Sequence, residues 1–247
     1  MSKTTVAQRT KNCTMLILAV GIGSVLSPPS FSPVKIAIAA SESGARVTQV
    51  LENYLRKRIS SPGGQLDIKI TPSTKADQGY FTDVLIVAKP ARIKDRQFSL
   101  LRLRAQNVHI DPAALLQKND LETISSATSL YAEVTDQELT KALAGGKKSS
   151  VMNLKVNFKG DLIQVSGNYN WGLFSGPFTA TGKLHLASGH QIVADIQSLK
   201  INGFEAPAFI KSKFSERINP LIDYNDLPFK PPFRKLVIQG NKAIVYA

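Results

Sequence analysis

The residues able to do chemistry are few and scattered. The three histidines, His109, His185 and His190, have no cysteine and no carboxylate pair near them. Zinc and iron sites collect such ligands at short spacings, so no metal is expected. No G-x-S-x-G element is present to lift a nucleophilic serine above a sheet. The string AGGKKSS (144–150) has the composition of a phosphate loop, but it closes a helix where such a loop must open one. Asp223 and Asp226 could form the carboxylate pair of a hydrolase. Beside Pro220 and Pro228 they read better as turn residues that bond their own backbone. The expectation is a protein that is not an enzyme, with no catalytic residues and no cofactor.

A different constellation lies near the end of the chain. Phe204, Phe209, Phe214, Leu221, Ile222, Leu227, Phe229 and Phe233 sit close together, interleaved with Lys211, Lys213, Arg217, Lys230, Arg234 and Lys235. Rings beside cations suit a lipid interface, where aromatics rest at the headgroup level and long basic side chains reach anionic phosphates. The candidate lipid-contacting set is Phe209, Ile210, Phe214, Leu221, Ile222, Leu227, Phe229 and Phe233. Lys211, Lys213, Arg217 and Lys230 are the candidate headgroup ligands. Any one of these rings would serve equally well to cover the end of a sheet, and Trp171 reads as core, bulge or membrane contact. The segment from Glu216 to Phe233 carries Pro220, Pro228, Pro231 and Pro232. Prolines donate no ladder bonds and hold a chain extended, so this is a stiff connection and a candidate lip of an apolar groove.

The elements that must position these residues follow from periodicity. Val47, Val50, Leu51, Tyr54, Leu55 and Ile59 recur at helical spacing, and the SPGG at 61–64 ends that helix. Leu66, Ile68 and Ile70 alternate as in a strand, as do Leu101, Leu103 and Ala105 further on. Asp111-Pro112 opens a short helix. Thr135 and Glu138 form a capping box for another, closed by Gly145-Gly146. From Val151 to Ile201 the pattern has period two almost throughout. A last helix begins near Pro207, with an apolar stripe of Phe209, Ile210, Phe214 and Ile218. Two short strands end the chain. Successive strands without intervening crossover helices indicate an antiparallel α+β fold. The expected architecture is a long twisted sheet packed on the N-terminal helix, with two or three shorter helices.

The first forty residues follow another rule. Lys3, Arg9 and Lys11 precede an uncharged apolar run from Cys13 to Leu26, and Ala37-Ile38-Ala39 provides a small-x-small site. This is the pattern of a secretory signal peptide over 1–39, followed by one domain at 40–247. The run is short for a membrane span, although an uncleaved anchor is the alternative. Cleavage would remove Cys13, the only cysteine, so disulfides and thiol chemistry are excluded. Residues 1–40 hold four of the 31 Lys and Arg and none of the 18 Asp and Glu, leaving a net charge of +9 on the remainder. An exported basic domain points to anionic lipid or cell-wall polymer and away from nucleic acid. A periplasm or a thylakoid lumen would suit it.

The order of elements, with NVHIDPAALL, AEVTDQELTKAL, LKINGFEAP and INPLIDYNDLPF at their positions, resembles the LmeA-like family of envelope phospholipid-binding proteins over Glu42 to Ala247. The resemblance implies a lipid-binding module related to tubular folds, in which a curved sheet wraps a long helix. It implies a phospholipid as partner, a membrane surface as its workplace and a role in envelope homeostasis. An adaptor docking on an envelope complex through its proline-rich segment is the competing expectation.

Overall fold

The computed structural model describes residues 33–94, 96–144, 151–171, 174–187, 190–223 and 225–247. The expected signal segment up to residue 32, and the Gly145-Gly146 helix stop, lie outside the described residues.

Helix α1 (Pro33–Arg58) opens the fold and begins fourteen residues before Val47, the first residue of its apolar stripe. Val47, Leu51 and Leu55 are buried along one side, while Ile59, expected to continue that stripe, is buried as the first residue of a strand paired with Ile93. Arg56, Lys57 and Arg58 form its last turn, where cations meet the negative end of the helix dipole. Among the described residues fifteen strands follow, every pairing antiparallel. They comprise β1 (Ile59–Ser60), β2 (Gln65–Pro72), β3 (Tyr80–Lys89), β4 (Ala91–Ile93), β5 (Arg96–Phe98), β6 (Leu100–Ile110) and β7 (Thr123–Thr135). After helix α2 (Asp136–Ala144) come β8 (Val151–Lys159), β9 (Leu162–Trp171), β10 (Phe174–Ala187), β11 (Gln191–Ile201) and β12 (Phe204–Glu205). Helix α3 (Ala208–Ile218) precedes β13 (Ile222–Asp223), β14 (Lys235–Gln239) and β15 (Lys242–Tyr246).

The α+β class holds, and the strands divide among three sheets. The first runs β14-β15-β7-β6-β3-β2, the second β12-β11-β10-β9-β8 with β13 also on β11, and a small third one β1-β4-β5. Alternation decides the faces of the first sheet. Val84, Ile86 and Ala88 of β3 and Leu101, Leu103 and Ala105 of β6 are buried, while Arg102 and Arg104 between them are exposed. In the second sheet β11 bulges at Gln197, which has no partner between the Thr181–Ser198 and Gly182–Ile196 pairs, and a Cβ on Gly182 there would strike the Asp195 carbonyl. Such a bulge bends the strand and adds twist.

Local signals place the short elements. Thr135 Oγ1 accepts the Glu138 N–H at 3.2 Å, and Glu138 Oε2 accepts the Thr135 N–H at 2.8 Å, closing the expected capping box. Asp111 Oδ1 accepts the Ala113 N–H ahead of a π-type turn, Ala114–Lys118. Gly79 takes φ +85° at the end of a 3-10 turn, Ala76–Gln78, pressed against the Ile110 carbonyl.

Helix α3 starts one residue after Pro207, whose carbonyl accepts the N–H groups of Ile210 and Lys211. Its buried side is Ile210, Phe214 and Ile218, spaced by fours, with Ile210 half-buried. Phe209 departs from the expected stripe and is 64% exposed, because one residue of helix turns it about 100° away from Ile210. A continuous core joins α1, both large sheets, α3 and the proline-rich segment.

Candidate functional site

The proline-rich segment crosses between the two large sheets. It leaves α3, adds β13 to the start of β11 through the Ile192–Ile222 pair, and reaches β14 in the first sheet. On the way, residues 225–230 wall a cleft of about 650 Å³. The other walls are Tyr54 and Arg58 at the end of α1 and residues 120–126 leading into β7. Three chain segments far apart in sequence meet there.

The candidate lipid-contacting residues do not share one surface. Phe214, Leu221, Ile222, Leu227, Phe229 and Phe233 are buried at 8% exposure or less. Phe214 packs edge-on against Phe178 at 5.1 Å, and Phe233 meets the His190 ring at 6.3 Å. Leu227 and Phe229 line the cleft while also joining the core. Ile210 is half-buried against the second sheet, and Phe209 projects outward. Among the candidate headgroup cations, Lys230 is exposed on the cleft wall. Lys211, Lys213 and Arg217 lie on α3, away from it, and the Lys211 ammonium reaches the Gln197 carbonyl at 3.4 Å. Trp171 ends β9, paired with Phe174.

Sequence reading missed Arg58 and Ile124. Arg58 is exposed at the cleft, with its guanidinium 5.1 Å from the centre of the Tyr54 ring. Its basic last turn was visible, but nothing local tied it to the DLPF stretch. Ile124 lines the cleft and is 58% exposed, and Leu116 nearby in the chain is 42% exposed. A strand-opening isoleucine left in water has no signal in its own neighbourhood.

The backbone at the cleft is unusual. Phe229 and Lys230 adopt φ +59° and +40° in succession. A bulky residue in that region is a true outlier, at about 1–3 kcal/mol, and such strain gathers at ligand clamps. The Lys230 N–H donates to the Leu227 carbonyl at 3.3 Å, closing the turn.

Charges at the cleft are mixed. Arg58 and Lys230 face Asp120, Glu122 and Asp226. The Lys94 ammonium holds Asp226 at 2.7 Å, and Asp120 accepts the neighbouring Leu121 N–H at 2.9 Å. Asp223 takes the turn role expected of it: its carboxylate accepts the Asn225 N–H at 2.9 Å, and that bond, aided by Gln191, holds its pKa below the usual aspartate value despite partial burial. Asp223 and Asp226 thus have separate structural partners. The histidines are likewise apart, with His109 stacked 3.9 Å from Tyr80 and His190 against Phe233. Among the described residues no group of three His, Cys, Asp or Glu side chains could hold a metal ion.

The fold is an α+β arrangement of antiparallel sheets with a long helix, and its cleft is walled by cations, carboxylates and apolar side chains. A family model for LmeA-like phospholipid-binding proteins matches residues 38–245, and the chain belongs to that family. No curated protein and no solved structure gives a significant match. Phospholipid is therefore the partner class.

Proposed function

We propose that this chain is an exported protein that holds or transfers anionic phospholipid in envelope homeostasis, and that it receives the lipid's phosphate in the cleft. The observation that carries this reading is that Arg58 and Lys230, the latter on the strained turn after DLPF, both line one cleft of about 650 Å³, where Asp226 is already paired with Lys94. Charge-assisted bonds from a guanidinium and an ammonium suit a phosphate oxygen. Leu227, Phe229 and Ile124 supply apolar wall for the start of an acyl chain, at about 0.8 kcal/mol per buried methylene. The net charge of +9 beyond residue 40 adds a long-range pull toward anionic lipid.

Export rests on the N-terminal pattern, and the family match starts at residue 38, beside Ala37-Ile38-Ala39. A periplasm or thylakoid lumen would be the destination. No helix among the described residues is long and apolar enough to cross a membrane. The protein has no catalytic step in this reading.

Lipid extraction and native mass spectrometry of gently purified protein test it. Bound phosphatidylglycerol or another acidic lipid is expected, reduced at least tenfold in an Arg58→Gln/Lys230→Gln variant that keeps its circular dichroism. Lipid-free protein that also ignores acidic vesicles would refute the proposal. A stoichiometric protein partner in crosslinking, without lipid, would favour an envelope adaptor instead.

A further inference from the structure

The cleft wall at Asn225 starts two residues after β13, which pairs with the start of β11, and the other end of β11 has a different surface. β11 runs from Ile192, paired with Ile222 near the cleft, to Ile201, paired with Phe204. Nine residue-to-residue steps separate these pairs, roughly 30 Å. Helix α3 runs back along the same edge, from the Lys211–Gln197 contact to Asn219 at Ala194. The far end therefore gathers the β11–β12 turn, the first turn of α3 and the β9–β10 hairpin end.

That end is apolar and unusually exposed. Phe204, one residue past the Asn202-Gly203 turn, is 79% exposed, and Phe209 is 64% exposed. Five residues connect them, so their Cα atoms lie within roughly 18 Å. The β9–β10 ladder projects beyond this turn: Asn202 donates to the Pro177 carbonyl, and three residues further out Phe174 pairs with Trp171. Lys213, one helical turn beyond Phe209, is exposed and Lys211 is half-buried, while Lys200 is exposed on the opposite face of the strand pair, across from Glu205. The two nearby acids have polar partners of their own, Ser198 for Glu205 and Ser212 for Glu216.

We infer that this end is a membrane-docking tip, which inserts Phe204 and Phe209 into the headgroup layer of an anionic bilayer while Lys213, with Lys211 behind it, meets its phosphates. A pair of phenylalanines this exposed stays unfavourable in water unless something covers it. The cations around them select an anionic lipid surface over a neutral apolar partner. The inference rests on the phospholipid reading and separates two tasks, docking at the tip and lipid holding in the cleft.

Trp171 is the only tryptophan, so a Trp171→Phe/Phe204→Trp variant moves the single indole to the tip itself. In cosedimentation with phosphatidylglycerol vesicles, Phe204→Ser/Phe209→Ser should weaken partitioning about tenfold or more. Binding of soluble dihexanoyl phosphatidylglycerol should persist in that variant and fall in Arg58→Gln/Lys230→Gln. Brominated lipid in the bilayer should quench the single tryptophan of the Trp171→Phe/Phe204→Trp variant when it binds. Undiminished vesicle binding by the tip variant, or vesicle binding without quenching, would overturn the tip. Soluble lipid bound with no vesicle affinity would overturn the tip and leave the cleft standing. Absence of both forms of binding would defeat the underlying function. Loss of a self-association or protein crosslink in the tip variant, with vesicle binding unchanged, would assign the surface to a protein partner.

Discussion

The side-chain amide of Asn219 pairs with the backbone of Ala194 as a neighbouring strand would. Its Oδ1 accepts the Ala194 N–H at 2.8 Å, and its Nδ2 donates to the Ala194 carbonyl at 2.9 Å. β13 covers only the start of this edge of β11 and β12 only its end. Asn219 thus satisfies both polar groups of a buried residue between them and pins the end of α3 to the sheet.

Asn219→Ala should therefore cost about 2 kcal/mol, since buried donors and acceptors left unmade carry their desolvation penalty. For a chain of this size that is a melting shift of roughly 4–8 °C. A shift under one degree in thermal unfolding would show that water replaces the amide.

Two phenylalanines on α3 should behave oppositely. Phe214, packed on Phe178, should lose about 3–5 kcal/mol on change to alanine. Phe209, largely in water, should change by less than about 0.5 kcal/mol. Chemical denaturation of both variants checks this, and Phe214→Asp or Phe229→Asp should abolish folding.

The strained turn predicts a trade of stability against binding. Glycine adopts the +40° φ of Lys230 at no steric cost. Lys230→Gly should melt no lower than the parent while binding phosphatidylglycerol more weakly. A lower melting temperature would mean that the side chain, and not the backbone, holds the turn.

On the outer face of the first sheet, Glu133 accepts hydrogen bonds from Lys242 and Tyr131, both at 2.6 Å. The Lys242 bond first, then the tyrosine, holds the Glu133 pKa below the usual glutamate value. The depressed carboxylate adds stability above its unfolded pKa, which is lost as pH falls through the folded one. Tyr131 moves the other way, up to about 12, chiefly because its hydroxyl donates to Glu133. Its contribution is full below pH 10, the ordinary tyrosine value, and fades as pH rises toward 12. Lys242→Met should raise the acid-unfolding midpoint seen by circular dichroism. An unchanged midpoint would show the network to be energetically silent.

Helix α2 offers a local control. Thr135→Ala removes the cap acceptor at the Glu138 N–H and should cost about 1 kcal/mol in denaturant unfolding. Lipid binding should stay at the parental level, because the box lies on no wall of the cleft.

By itself the sequence determined what nearest neighbours control. The stripe of α1, the Thr135–Glu138 box, the alternation of β6 and the turn role of Asp223 are set within a few residues, where periodicity and capping act. The phospholipid family was also legible, because the order of elements and the DLPF stretch are properties of the linear chain. Only the tertiary structure decided what those elements meet. β15 pairs with β7, Tyr246 opposite Tyr131, and no local pattern encodes a partner more than a hundred residues away. The same holds for Arg58 and Lys230, brought to one cleft by the path of the proline-rich segment. Composition marked Phe209, Phe214 and Phe229 alike as apolar. Packing sent Phe214 and Phe229 inward and left Phe209 in water, because burial depends on which neighbours surround a ring.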